Sequence, residues 1–114
     1  YNRGLIYAQQ GNFVQAISDY NKAIAINPNY LDAYYNRGLE FGRQKNFTKA
    51  LSDYNKDIEL NPKDAQAYNN RAVVYYQLRK YDKARADVHK AQELGVVVNP
   101  QLISALKAAS DKAK

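Results

Sequence analysis

The sequence predicts an all-α fold: an α-solenoid of antiparallel helix pairs with a C-terminal capping helix. Three observations predict it. Long stretches return every 34 residues, as Tyr1-Asn2-Arg3-Gly4-Leu5 does in Tyr35-Asn36-Arg37-Gly38-Leu39 and, more loosely, in Asn69-Asn70-Arg71-Ala72-Val73. The stop signal Asn27-Pro28 returns in register as Asn61-Pro62. The next one, Asn99-Pro100, falls four residues late and opens a segment with its own apolar stripe. A period near 34 marks helical units that bury their apolar faces only by stacking on neighbours.

Each element follows from local chemistry. The first helix is expected over about 1–10, with Gly11-Asn12 turning the chain. The second runs over about 13–26 and ends at Asn27-Pro28, because proline removes an amide donor and pushes the residue before it out of helical geometry. The next unit repeats the plan with helices over about 30–44 and 47–60, a turn at Lys45-Asn46 and a stop at Asn61-Pro62. The third has helices over about 64–78 and 81–94, closed by Gly95, which tolerates the left-handed conformation of a C-terminal cap. Val96, Val97 and Val98 form an extended link. Asn99 can cap a last helix over about 100–112, and Pro100 suits its first turn. There Leu102, Ile103, Leu106 and Ala109 share one stripe, with Gln101, Lys107, Ser110 and Asp111 opposite.

Length fits one domain over 1–114: a truncated first repeat (1–29), a second (30–63), a third (64–98) and a capping helix (99–114). The first unit starts within a helix, so its leading face is expected to be apolar and open, a surface that tends to find a partner. The chain carries eleven tyrosines, three phenylalanines and no tryptophan. Tyrosine suits half-buried positions where the ring packs and the hydroxyl stays wet. There is no cysteine, which excludes disulfides and thiolate chemistry, and no apolar run long enough for a membrane span. The net charge is +6, but acidic residues are interspersed almost everywhere and no long basic block exists, which reads as a solvated surface. Arg79, Lys80, Lys83, Arg85 and Lys90 form a modest basic region broken by Asp82, Asp87 and Glu93. Nucleic-acid binding is therefore not the expected function.

The repeated residues resemble the tetratricopeptide repeat family over roughly 1–95. The positions that carry the resemblance are Arg3-Gly4, Tyr7, Ala16, Tyr20, Ala23 and Pro28; then Tyr34, Arg37-Gly38, Phe41, Ala50, Tyr54, Asp57 and Pro62; then Tyr68, Arg71-Ala72, Tyr75, Ala84, Val88 and Ala91. The resemblance implies a right-handed superhelix. Gly4, Gly38 and Ala72 let paired helices approach closely, Ala16, Ala50 and Ala84 do so from the second helix, and Tyr7, Phe41 and Tyr75 fill the space beside them. Two departures stand out. Arg3, Arg37 and Arg71 replace the family's usual leucine, and Asp57 replaces a small alanine. A buried carboxylate there calls for a partner such as Arg71 or a tyrosine hydroxyl.

The arginines recur with Asp19, Asp53 and Asp87, each sixteen positions later. Threefold repetition in register with the fold points to a structural Arg–Asp pair in every unit, with anion binding or catalysis as the alternative. Asn2, Asn36 and Asn70 form a second recurring set on the first helix of each pair. The resemblance places that helix on the concave surface, where an asparagine can donate to and accept from the backbone of an extended peptide; plain solvation is the alternative. Tyr1, Tyr35 and Asn69, then Leu5, Leu39 and Val73, then Arg43, Tyr76 and Gln77 are expected on the same face. Some family members hold a C-terminal carboxylate in a lysine, asparagine and arginine clamp. Asn36 matches its asparagine, but Tyr1, Leu5, Gln66 and Asn70 stand at the other positions, so chaperone-tail recognition is not expected. His89, the single histidine, is expected to face solvent, and there is no metal spacing, phosphate loop or Ser-His-Asp set. The expected function is a non-enzymatic scaffold, without cofactor or metal, that binds an extended peptide or partner helix in the groove of the repeats. Self-association through the open N-terminal edge is the alternative.

Overall fold

A computed structural model describes residues 2–112, with side chains over 2–109; Tyr1 and the side chains of Ser110 and Asp111 lie outside the described residues. Among the described residues there are seven helices: α1 (Asn2–Gln9), α2 (Phe13–Ile26), α3 (Leu31–Arg43), α4 (Phe47–Leu60), α5 (Ala65–Gln77), α6 (Tyr81–Glu93) and α7 (Pro100–Lys112). No strand occurs among the described residues. The molecule is all-α, of the α-solenoid class built from helix pairs, and it divides into two compact units, Tyr1–Pro62 and Lys63–Lys114.

The helix ends follow the sequence signals. Asn27 and Asn61 are both extended, as a residue before proline should be, and their amides close the last turns on Ala23 and Asp57. Asn12 and Asn46 each accept a hydrogen bond from the amide three residues on, at 3.3 and 3.4 Å, and so satisfy an orphan donor at the start of α2 and α4. Lys80 holds the same place before α6 and offers no such bond. Each tight turn within a pair has one left-handed residue: Gly11 (φ 74°), Lys45 (φ 62°) and Arg79 (φ 61°). Asn99 Oδ1 accepts from the Gln101 amide at 2.8 Å, opening α7.

In the first unit α2 packs against both α1 and α3, and α3 pairs with α4. Small residues set the spacing. A Cβ on Gly4 would lie 2.8 Å from Cε1 of Tyr20, and one on Gly38 would lie 2.8 Å from Cε1 of Tyr54. The two rings are buried against these glycines and alongside Ala16 and Ala50. Asp57, in the small residue's place on α4, is fully buried. In the second unit α5 pairs with α6 and α7 packs on α6. Here Ala72 stands in the glycine's place and Val88 in the tyrosine's, both buried. The helix gains a methyl and its partner loses a ring, so the gap is filled by another division of the same volume.

The terminal helix departs from the expected stripe. Leu106 and the preceding Val98 are its buried anchors, whereas Ile103 is 39% exposed. Three residues before Leu106 rather than four, Ile103 lies to one side of the line along which α7 packs on α6.

Candidate functional site

The three arginines of the repeated set reach aspartates across each helix pair. Arg3 Nε and NH2 donate to Asp19 at 2.8 and 2.7 Å, Arg37 to Asp53 at 2.9 and 2.7 Å, and Arg71 to Asp87 at 2.8 and 2.7 Å. All are two-pronged guanidinium–carboxylate bonds, the geometry only arginine supplies. Arg37 NH1 also donates to Asn21 Oδ1 at 2.8 Å, tying α3 to α2. Its guanidinium lies between the rings of Tyr34 and Phe41, and that of Arg71 between Tyr68 and Tyr75, with centroid distances of 5.5–5.8 Å. These flanking rings explain why Phe41 and Tyr75 are only half-buried: they cover an arginine rather than the deepest core. The hydrogen bonds to Asp53 and Asp87 hold Arg37 and Arg71 charged above their ordinary range, and Arg3 pulls the Asp19 carboxyl below its own. Arg71 commits its Nε–NH2 edge to Asp87.

A separate arrangement lies on the first helices of the pairs in the first unit. A cleft of about 360 Å³ is lined by Leu5, Ala8 and Gln9 of α1, by Asn36, Leu39, Glu40 and Arg43 of α3, and by Tyr20 beneath. Of the sequence-expected groove residues, the structure brings Leu5, Asn36, Leu39 and Arg43 together here. Asn2 is exposed on α1 and Tyr35 half-buried on α3, both outside the lining. Asn36 Nδ2 donates at 2.8 Å to the Asp32 carbonyl one turn back in its own helix, which fixes its amide. Arg43 NH1 donates to Glu40 Oε1 at 2.5 Å.

Glu40 is the residue that sequence reasoning missed. It is 2% exposed, and burial pushes its carboxyl above the ordinary glutamate value against the opposing pull of Arg43. Its Oε2 is buried and accepts no hydrogen bond among the described residues. The available signal was register: Ile6 and Val74 hold the corresponding places one repeat before and after.

In the second unit, α5 carries the other expected residues. Asn69, Asn70 and Tyr76 are half-buried, Gln77 is exposed and Val73 is 43% exposed. Asn70 Nδ2 is buried without a hydrogen bond among the described residues, and Tyr76 packs at a tilt on Tyr81, with centroids 5.7 Å apart. Arg79, Lys80, Lys83 and Arg85 line a shallower depression with Asp82, and Arg85 spends its donors on Asp82 and the Leu106 carbonyl. His89 is exposed on α6. Among the described residues no cluster of His, Cys, Asp or Glu could hold a metal ion, and no helix is long and apolar enough to cross a membrane.

Helix pairs locked by repeated Arg–Asp bonds, with a side-chain-lined cleft on the first helices, define a repeat module built for protein interaction. The chain belongs to the tetratricopeptide repeat family. Family profiles described as "TPR repeat" and "Tetratricopeptide repeat" match residues 4–45, and 31–64 and 54–86, respectively. Among solved structures, the first TPR of Spaghetti (RPAP3) bound to the HSP90 peptide SRMEEVD is 28% identical, with a TM-score of 0.84 over 98% of this chain and 90% of that one. The TPR domain of Arabidopsis OM64 is 25% identical, with a TM-score of 0.85 over 97% and 91% of the two chains. The first TPR domain of human RPAP3 is 29% identical, with a TM-score of 0.83 over 96% and 86%. No curated protein matches the chain.

Proposed function

We propose that this chain is a non-enzymatic peptide-binding scaffold, organised as the four segments 1–29, 30–63, 64–98 and 99–114. Its ligand is an extended peptide or partner helix seated on the first helices of the pairs. The observation that carries this reading is the α1–α3 cleft, where Leu5 and Leu39 offer apolar wall and Asn36, Gln9 and Arg43 offer hydrogen bonds. The similarity to a structure that holds a peptide supports it. On α5, Asn69, Asn70, Val73, Tyr76 and Gln77 form the corresponding face of the second unit. Asn2 and Tyr35 would contact the ligand at the edges of the first. The Arg3–Asp19, Arg37–Asp53 and Arg71–Asp87 pairs would serve structure alone.

The peptide is not expected to be a chaperone tail held by its terminal carboxylate. Leu5, Gln66 and Asn70 occupy positions where a carboxylate clamp would place polar and basic groups. A peptide array probed with wild type and with Asn36→Ala and Asn70→Ala variants tests the reading. Wild type should retain a defined set of internal sequences and bind SRMEEVD weakly, and Asn36→Ala should lose most of that set. Equal binding by wild type and variants would remove the asparagines from recognition. Retention of no peptide at all would overturn the function. Self-association through the N-terminal edge is the second reading, favoured by the exposed Ile6 of α1 and Val14 of α2. Light scattering that shows a monomer at high concentration would exclude it.

A further inference from the structure

Glu40 puts a carboxylate where the neighbouring repeats put Ile6 and Val74. Packing does not require it: Val74 fills the same place in the second unit and is well buried there. Glu40 lines the α1–α3 cleft; Arg43 engages its Oε1, while its Oε2 is buried with no hydrogen bond among the described residues. An ionised oxygen in that state destabilises the fold unless something donates to it.

We infer that the cleft takes a lysine or arginine side chain of the peptide ligand, whose charged head donates to Glu40 Oε2. The inference rests on the peptide-binding reading and adds the side-chain chemistry that the site selects. An ionised donor is the strongest match for a desolvated anionic oxygen. The aliphatic stem of a basic side chain lies against Leu5, Ala8 and Leu39, which are the apolar part of the wall. Gln9 and Asn36 are uncharged. Among the described lining residues the one other charge, Arg43, is 53% exposed and so largely hydrated, whereas Glu40 is desolvated. An acidic ligand side chain would set a second carboxylate against Oε2. Because Oε2 is buried in the unliganded protein, binding requires local rearrangement of the side chains that cover it.

The test is a positional scan of the peptides retained on the array, with each lysine or arginine replaced by norleucine, glutamine or glutamate and affinity read by fluorescence anisotropy. One basic position should dominate, and its replacement by norleucine should weaken wild-type binding about tenfold or more. In Glu40→Gln that ratio should collapse towards one. The double variant Glu40→Val/Arg43→Gln, which copies the Val74 and Gln77 of α5, should instead prefer norleucine; its thermal unfolding confirms that a folded protein is being compared. Peptides bound without a basic requirement, or an undiminished lysine preference in Glu40→Gln, would overturn this inference and leave peptide binding standing. Retention of no peptide would overturn both.

Discussion

The two units build the same helix pair from different parts. The first sets Gly38 against Tyr54, buries Glu40 and caps α4 with Asn46; the second sets Ala72 against Val88, buries Val74 and leaves Lys80 without a side-chain cap. Both keep the Arg–Asp bond at the same lengths to within 0.1 Å. The pair interior thus tolerates exchange of volume between facing positions, while the charge pair stays fixed. The Glu40–Arg43 pair has no counterpart at Val74 and Gln77, so this polar departure is a local property of the first unit. Structure is shared between the units, and the polar chemistry of the cleft is not.

The largest expected effect breaks the shared part. Arg37→Ala leaves Asp53 buried without its guanidinium and should cost about 3 kcal/mol in urea unfolding. Arg71→Ala should match it. Arg3→Ala should cost clearly less, because Arg3 is 62% exposed where Arg37 is 20% exposed. A combined Arg37→Asp and Asp53→Arg exchange should recover part of what either single change loses; no recovery would refute the pairing.

The next effect tests the exchange of volume. Gly38→Ala should cost about 1–3 kcal/mol, because its methyl meets a buried ring. Adding Tyr54→Val recreates the Ala72–Val88 arrangement, so the double variant should lose less than the sum of the two single changes. Strict additivity would show that the two positions do not share one space.

A smaller effect concerns the polar cleft. Burial raises the Glu40 carboxyl above its ordinary value of 4.5. A raised acid stabilises the fold when protonated and loses that contribution as pH climbs from the ordinary value through the folded one. The stability of wild type relative to Glu40→Gln should therefore fall as pH rises through that window and level off above it. A difference independent of pH would contradict the burial argument. The smallest effects repair a cap and two turns: in the second unit Lys80→Asn should add about 1 kcal/mol through the missing cap, and Arg79→Gly in the second unit or Lys45→Gly in the first should add about 0.5–1 kcal/mol by relieving a left-handed side chain.

The fold was legible in the sequence because the helical units and their small residues repeat three times, the Asn-Pro stop repeats in register twice, and all of these signals act locally. The charge pairs were legible for the same reason, as sixteen residues separate matching positions on two antiparallel helices. Ile103 misled, since helical spacing shows which side chains share a face but not how wide a face one neighbouring helix covers. Glu40 was hidden because a single acidic residue on an amphipathic helix looks solvated; only its register against Val74, which is buried, marks it as a core position. Tyr35 falls outside the cleft because adjacent helix positions point about 100° apart, and Asn36, its neighbour, takes the inward direction.

A 15N–1H NMR titration with the tightest array peptide tests peptide seating most directly. Peptide on the α1–α3 cleft should perturb the amides of Leu5, Gln9, Asn36, Leu39, Glu40 and Arg43 first and most strongly. Perturbation confined to the 79–85 segment, or none at saturating peptide, would contradict it.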